Sequence, residues 1–293
     1  MKGARKTKSG GYYALTAVVL TFLILLTALL ILREAMKDRY KKETPRPATE
    51  QWRVPSRQQH EPAEYGKIFP SAGHPSVAII IDDIGWNYEI VQSLKGLPFP
   101  VTLALLPESP FAEDIAKALQ DNPNFQMLLH LPLEPRGSVK TDTGFLTTKM
   151  SDDEIRKRFD RYFAKFSPYV VGVNNHMGSL FTTNEDKMAV LLEEIKNKRL
   201  FFVDSCTAPG TVGYSEAKKL GVKTAKRDIF LDNDESKEKI ALEIDNALRI
   251  AGAKGKAVAI CHPHRVTIET LKEVIPRFER DGYRFVFVSK LVD

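Results

Sequence analysis

From residue 76 onward the chain alternates short, unbroken apolar runs with longer amphipathic stretches. Val77–Ile81, Val101–Leu106, Phe125–His130, Val170–Asn174, Leu200–Val203, Ala257–Cys261 and Phe285–Val288 are the apolar runs, and Val222–Leu231 contains one more. Runs of this length predict strands buried on both faces, as in parallel sheets. Between them, helical spacing recurs near Tyr88–Leu94, Phe111–Leu119, Asp152–Phe166, Lys187–Lys198, Tyr214–Leu220, Lys237–Ala251 and Thr267–Arg280. Ser151 is placed to cap the helix that opens at Asp152. Strand and helix alternating over short links call for a parallel sheet with helical crossovers. In one domain of about 218 residues, 76–293, this predicts an α/β fold built as a closed or nearly closed barrel. A doubly wound open sheet is the alternative. No internal repeat is present.

The first 75 residues follow a different pattern. Ala14–Leu32 carries no charge and only three threonines as polar residues, Thr16, Thr21 and Thr27. Such a stretch is about long enough to cross a bilayer core. Lys2, Arg5, Lys6 and Lys8 precede it, and Tyr12 and Tyr13 suit the membrane interface. The reading is a basic cytoplasmic head at 1–10 and an uncleaved signal-anchor helix at 11–33, in contact with the lipid bilayer. No small-residue cleavage site followed by a neutral stretch supports a cleaved signal peptide instead. This makes a single-pass inner-membrane protein whose carboxy-terminal domain lies outside the cytoplasm. Residues 34–75 read as a flexible linker, with six of the chain's 17 prolines at 45, 47, 55, 62, 70 and 75 and few aliphatic residues.

Charge sharpens this division. The formal net charge is +6, yet residues 1–75 hold 13 Lys and Arg against 6 Asp and Glu, while 76–293 hold 30 against 31. The folded part is near neutral, so no nucleic-acid partner is expected. Cys206 and Cys261 do not make a disulfide framework. They read as buried thiols, or as a pair if their strands are neighbours.

Candidate chemistry gathers where the apolar runs end. Asp82 and Asp83 close the first, His130 the third, and Asn174, Asn175 and His176 the fourth. Asp204 and Ser205 follow Val203, Asp232 follows Leu231, and His262 and His264 follow Cys261. In parallel α/β folds the carboxyl ends of the strands form the edge where ligands bind. All four histidines of the domain lie there, with three sets of carboxylates. Two adjacent carboxylates repel unless something positive compensates, and a divalent metal is the simplest compensation. Aspartate with imidazole suits zinc or another divalent ion. Such a site can activate water while a second carboxylate takes a proton and a histidine gives one, which is the chemistry of amide or ester hydrolysis. Plainer roles stand beside these. Asp82 or Asp83 can cap the next helix, and Asp204 and Asp232 can orient histidines. Asn175 can bind substrate or cap a loop, Glu134 can pair with Arg136, and His264 can pack beside Pro263.

Taken together, Ile81-Asp82-Asp83-Ile84-Gly85, His130-Leu131-Pro132-Leu133-Glu134-Pro135, Asn174-Asn175-His176-Met177-Gly178-Ser179, Asp204-Ser205 and His262-Pro263-His264 resemble the divergent polysaccharide deacetylase family, in its YibQ-like branch. The resemblance runs from about residue 76 to 291. It implies a distorted seven-stranded (β/α) barrel of the glycoside hydrolase/deacetylase type and a metal-dependent site at the strand ends, with zinc the expected ion. By position it implies Asp82 as general base, Asp83 as metal ligand and His262 as acid. The wider superfamily takes two metal histidines from one His-x-x-x-His turn, whereas here Glu134 stands four residues after His130. His176 is the choice for the third ligand beside Asp83 and His130. Glu134, Asn175, Asp204 and His264 are left as substrate-binding or supporting residues. The arginine of the superfamily's third motif has no evident counterpart. The resemblance implies a membrane-anchored hydrolase that deacetylates an N-acetylated glycan. The alternative is a carbohydrate-binding or scaffold protein that keeps the barrel without turnover.

Overall fold

The computed structural model describes Thr27, residues 74–137 and residues 144–293. The expected membrane anchor at 11–33 and the linker at 34–75 lie outside the described residues except for Thr27, His74 and Pro75. Among the described residues no helix is long and apolar enough to cross a membrane.

The domain follows the alternation closely. Its strands are β1 (Ser76–Ile84), β2 (Val101–Leu105), β3 (Phe125–Leu133), β4 (Val170–Met177), β5 (Phe201–Asp204), β6 (Thr224–Lys226), β7 (Ile229–Phe230), β8 (Lys256–Cys261) and β9 (Arg284–Phe285). Its helices are α1 (Ile90–Lys95), α2 (Ala112–Leu119), α3 (Asp152–Phe166), α4 (Glu185–Asn197), α5 (Gly213–Lys219), α6 (Lys237–Lys254) and α7 (Arg265–Arg280). Ser151 caps α3 in a full capping box with Glu154, as its spacing predicts. The strands run β6-β5-β4-β3-β2-β1-β8-β7, with β9 beside the start of β1, and all pair in parallel.

The two edge strands, β6 and β7, are consecutive in the chain. Only Arg227 and Asp228 separate them. The Arg227 amide donates to Asp204 O beyond β6, and the Asp228 amide donates to Val258 O on β8. The sheet has therefore curled until its edges are one dipeptide apart, without pairing to each other. The result is a parallel half-barrel with a seam rather than the closed barrel expected. The single strand expected within Val222–Leu231 is two short ones, because the chain crosses the seam there.

Alternation along each strand builds two apolar layers. Ala78, Ile80, Ala104, Leu128, Phe201, Val203, Ala225, Val258 and Ile260 fill the inside of the barrel. Ile79, Ile81, Leu103, Leu129, Val173, Phe202 and Ala259 pack outward against the helices. Gly172 is needed on the inner face because a Cβ there would lie 2.6 Å from the Phe201 ring. The expected last strand, Phe285–Val288, stops at Phe285. The chain then turns inward as a 3-10 helix, Val288–Lys290, that adds Val288 and Leu291 to the inner core. Asp293 exchanges backbone hydrogen bonds with Thr224 at 3.1 and 3.2 Å. The carboxy terminus thus closes the barrel at the amino ends of its strands and leaves the carboxyl ends open for chemistry.

Candidate active site

Inward-facing positions continue past the inner core to the open end of the barrel. Residues 78, 80 and 82 share one face of β1, which puts Asp82 inside. Asp83 would then face the helices. It does not, because β1 carries an extra residue: Ile81 pairs with Leu103 but Ile84 with Leu105. Asp83 sits in this bulge with φ of 56°, a left-handed conformation that turns its side chain back to the inner face. The strand does not end at Asp82. The bulge achieves what a strand end would.

His130 follows Leu128 on the inner face of β3 and pairs in register with Asn174, while Pro132 pairs with His176. Three donor atoms meet as a result. Asp83 Oδ1 lies 2.9 Å from His176 Nδ1 and 3.1 Å from His130 Nε2, and the two ring nitrogens are 3.2 Å apart. Asp83 Oδ1 is buried and makes no hydrogen bond of good geometry. Oxygen and nitrogen ligands about 2.0–2.2 Å from a tetrahedral ion would stand about 3.3 Å from one another. An orphaned carboxylate oxygen and two imidazole nitrogens at this spacing fit a divalent cation.

Asn174 sets the state of its neighbours. Its Nδ2 donates to Asp82 Oδ1 at 2.8 Å, which turns its Oδ1 toward His130 Nδ1 at 2.9 Å. His130 must donate from Nδ1 there, so its Nε2 lone pair faces the Asp83 cluster. Asp82 Oδ2 lies 3.7 Å from His130 Nε2, outside the close cluster. Burial raises the Asp82 pKa, and His130 and His262 only partly offset it. Burial also acts to raise Asp83, but His176 and His130 outweigh it and hold that carboxyl well below the usual range. His130 is raised: burial opposes its charge, and Asp82 and Asp83 more than compensate.

Across the barrel, His262 follows Ile260 on the inner face of β8. Asp232 accepts from its backbone amide at 2.6 Å and faces its Nδ1 at 3.0 Å, and also accepts from Thr267 Oγ1 at 3.1 Å. Burial works against a charged His262, yet the hydrogen bond and charge of Asp232 prevail, with Asp83 and Asp82 adding to them. The pKa is pushed up to about 9. Phe230 stacks on His262 with centroids 6.1 Å apart, and Arg227 lies 3.8 Å over the Phe230 ring. Arg227 also donates to Ser205 O and Cys206 O, each at 2.7 Å. Phe145 lies 6.0 Å from the His176 ring.

The remaining candidates stand apart from this cluster. Asn175 and Asp204 share the outer faces of Val173 and Phe202, so alternation turns them away from the site. Asn175 accepts from Ser205 N at 2.8 Å and donates to Met177 O at 2.7 Å, which is the loop-capping role. Asp204 holds no histidine. It accepts from Cys206 N, Thr211 Oγ1 and Tyr214 N and so fixes the start of α5. Glu134 accepts from the amide and hydroxyl of Thr148 at 2.6 and 2.7 Å rather than pairing with Arg136. His264 is half exposed at the rim, 3.7 Å from Glu235. Asp232, His262 and His264 also fall close together, but the Asp232 oxygens are already engaged by the donors above. Cys206 and Cys261 are free thiols. Sequence reasoning gave no role to Asn174, Phe145 or Arg227. Asn174 was visible inside the Asn-Asn-His motif, whereas no local pattern marks the other two.

The fold and this rim define a parallel α/β half-barrel with a carboxylate–imidazole site at its strand ends. The divergent polysaccharide deacetylase family model matches residues 79–292, and the chain belongs to that family, its YibQ-like members included. It is 34% identical over 199 residues to the uncharacterized protein YibQ of Escherichia coli K12, covering 68% of this chain and 62% of that one. The chain thus spans less than two thirds of that relative's length. An uncharacterized Haemophilus influenzae protein is 29% identical over 211 residues, 72% of this chain and 75% of its own. The crystal structure of an uncharacterized protein from Agrobacterium tumefaciens C58 shares the fold with a TM-score of 0.69 and 22% identity, covering 76% of this chain and 91% of that one.

Proposed function

We propose that this polysaccharide deacetylase-like protein is a metal-dependent hydrolase that removes acetyl groups from an N-acetylated glycan. The observation that carries the reading is the division of labour between two adjacent carboxylates. Asp83 Oδ1 meets His130 and His176 as an orphaned acceptor, while Asp82 is held apart on Asn174. Asp83, His130 and His176 would hold a divalent ion, zinc by donor type, which when bound supplies Lewis-acid polarisation of the acetyl carbonyl and of water. Asp82, made more basic by burial, takes a proton from the attacking water. The water oxygen bonds to the acetyl carbon, the carbon–nitrogen bond breaks, and the sugar nitrogen takes its proton from His262. Acetate and a free amino sugar are the products. With its pKa near 9, His262 is protonated at neutral pH and suited to donate. Phe145 and Phe230 supply apolar flanks beside His176 and His262 for the acetyl methyl.

The cell envelope is the proposed setting. The uncharged stretch Ala14–Leu32 supports a single membrane span within 11–33, with residues 76–293 outside the cytoplasm. A reporter fused after Asp293 should be active only outside the cytoplasm, and cytoplasmic activity would overturn that topology. Acetate release from acetylated oligosaccharides, abolished by a chelator and restored by zinc, tests the reaction. Metal binding without acetate release from any of a broad panel would instead establish the carbohydrate-binding alternative.

A further inference from the structure

Among the described residues four large hydrophobic side chains are exposed: Trp86 at 40%, Tyr88 at 45%, Val171 at 41% and Leu242 at 41%. The two aromatic ones lie together, on the loop that leaves β1 directly after Asp82 and Asp83. Three residues separate Trp86 from Asp83, so their Cα atoms are at most about 11 Å apart. Exposed aromatic surface next to a reaction centre calls for a ligand with an apolar face.

The loop holds these rings in place. Gly85, at φ of 142°, packs so tightly that a Cβ would lie 1.7 Å from Ser109 Oγ. Its carbonyl accepts from Phe111 N at 2.9 Å, and the Ile84 carbonyl accepts from Leu106 N at 2.9 Å. Asn87 Oδ1 accepts from Glu89 N at 2.9 Å. The Tyr88 ring lies 6.4 Å from Phe111, tilted by 57°. A flexible surface loop would lose ordering entropy on gripping a ligand, and this one is already tied to β2 and to the start of α2.

We propose that Trp86 and Tyr88 form a stacking platform for a sugar ring next to the one being deacetylated, so that the protein acts on polymeric rather than monomeric N-acetylated sugar. A pyranose with equatorial hydroxyls presents axial C–H groups on its faces, and these pack on an indole or phenol ring while the hydroxyls keep their water. Two rings two residues apart on one loop offer such contact over more than a single sugar. The inference rests on the glycan hydrolase reading, and its test separates the two.

The chain holds two tryptophans, Trp52 and Trp86. In the full chain carrying Trp52→Phe, all indole fluorescence comes from Trp86. Adding the hexamer of N-acetylglucosamine should shift and saturate that fluorescence, and the monomer at equal sugar concentration should not. In turnover, Trp86→Ala should lower the hexamer-over-monomer ratio of kcat/KM about tenfold, through KM. Trp86→Phe should restore most of that ratio, which a folding defect would not allow. A saturable hexamer signal without acetate release keeps the platform and overturns the hydrolase. Acetate release with an unresponsive Trp86, or with a hexamer preference unchanged in Trp86→Ala, keeps the hydrolase and overturns the platform.

Discussion

Replacing Asp232 by asparagine isolates the interaction that keeps His262 protonated. The imidazole titrates at about 9 in the folded protein against 6.5 when unperturbed. Because the folded pKa is the higher one, the pair's stabilisation is fully present below pH 6.5 and is lost as pH rises through about 9. Converted in full, a change of this size would be roughly 3 kcal/mol. The His262 side chain is 33% exposed, and solvent screening reduces the expected contribution to about 1–2 kcal/mol. Asparagine keeps the shape and can still accept one of the hydrogen bonds to the His262 amide and Thr267, but it removes the charge. The assay is an NMR titration of the His262 ring protons in metal-free protein, with urea unfolding at pH 6 and pH 10. Asp232→Asn should move the His262 midpoint from about 9 toward 6.5. The stability gap to wild type should be larger at pH 6 than at pH 10. A variant that still titrates near 9, or a wild type that titrates near 6.5, would refute this account of the acid.

Other outcomes follow from the same geometry. Asn174→Ala should reduce turnover by about 10²-fold or more, because Asp82 loses its tether and His130 its tautomer-setting partner; steady-state kinetics on an acetylated oligosaccharide check it. Gly85→Ala should unfold the domain at lower urea, since the new methyl meets Ser109 in a loop with no room to yield. Phe201→Ala should cost about 3–5 kcal/mol in chemical denaturation, because the ring fills the inner barrel over Gly172.

Much of the fold was legible because the signals were local. Unbroken apolar runs marked the strands, and Ser151 with Glu154 marked the start of α3. The seam was not legible. Val222–Leu231 reads as one apolar run, and only the tertiary course of the sheet shows that Arg227 and Asp228 bond to opposite neighbours. The site divides in the same way. Residue type at the strand ends brought out Asp82, Asp83, His130, His176 and His262. Asn175 and Asp204 carry the same chemistry at the same rim, but the two-residue alternation turns them outward, and they brace loops. Alternation alone would have sent Asp83 outward too. The bulge at φ of 56° reverses that, and a bulge leaves no mark in a run such as Ile-Ile-Ile-Asp-Asp-Ile. Arg227 reaches the Phe230 ring and the Ser205 and Cys206 carbonyls through the seam, a contact that no sequence motif encodes.

The central claim is that two neighbouring carboxylates do different work, Asp83 as ligand and Asp82 as base. Calorimetric titration of zinc into chelator-treated wild type, Asp82→Asn and Asp83→Ala tests it most directly. The account predicts one equivalent bound at similar affinity by wild type and Asp82→Asn, and none at that affinity by Asp83→Ala. An empty site in Asp82→Asn, or a filled one in Asp83→Ala, would contradict it.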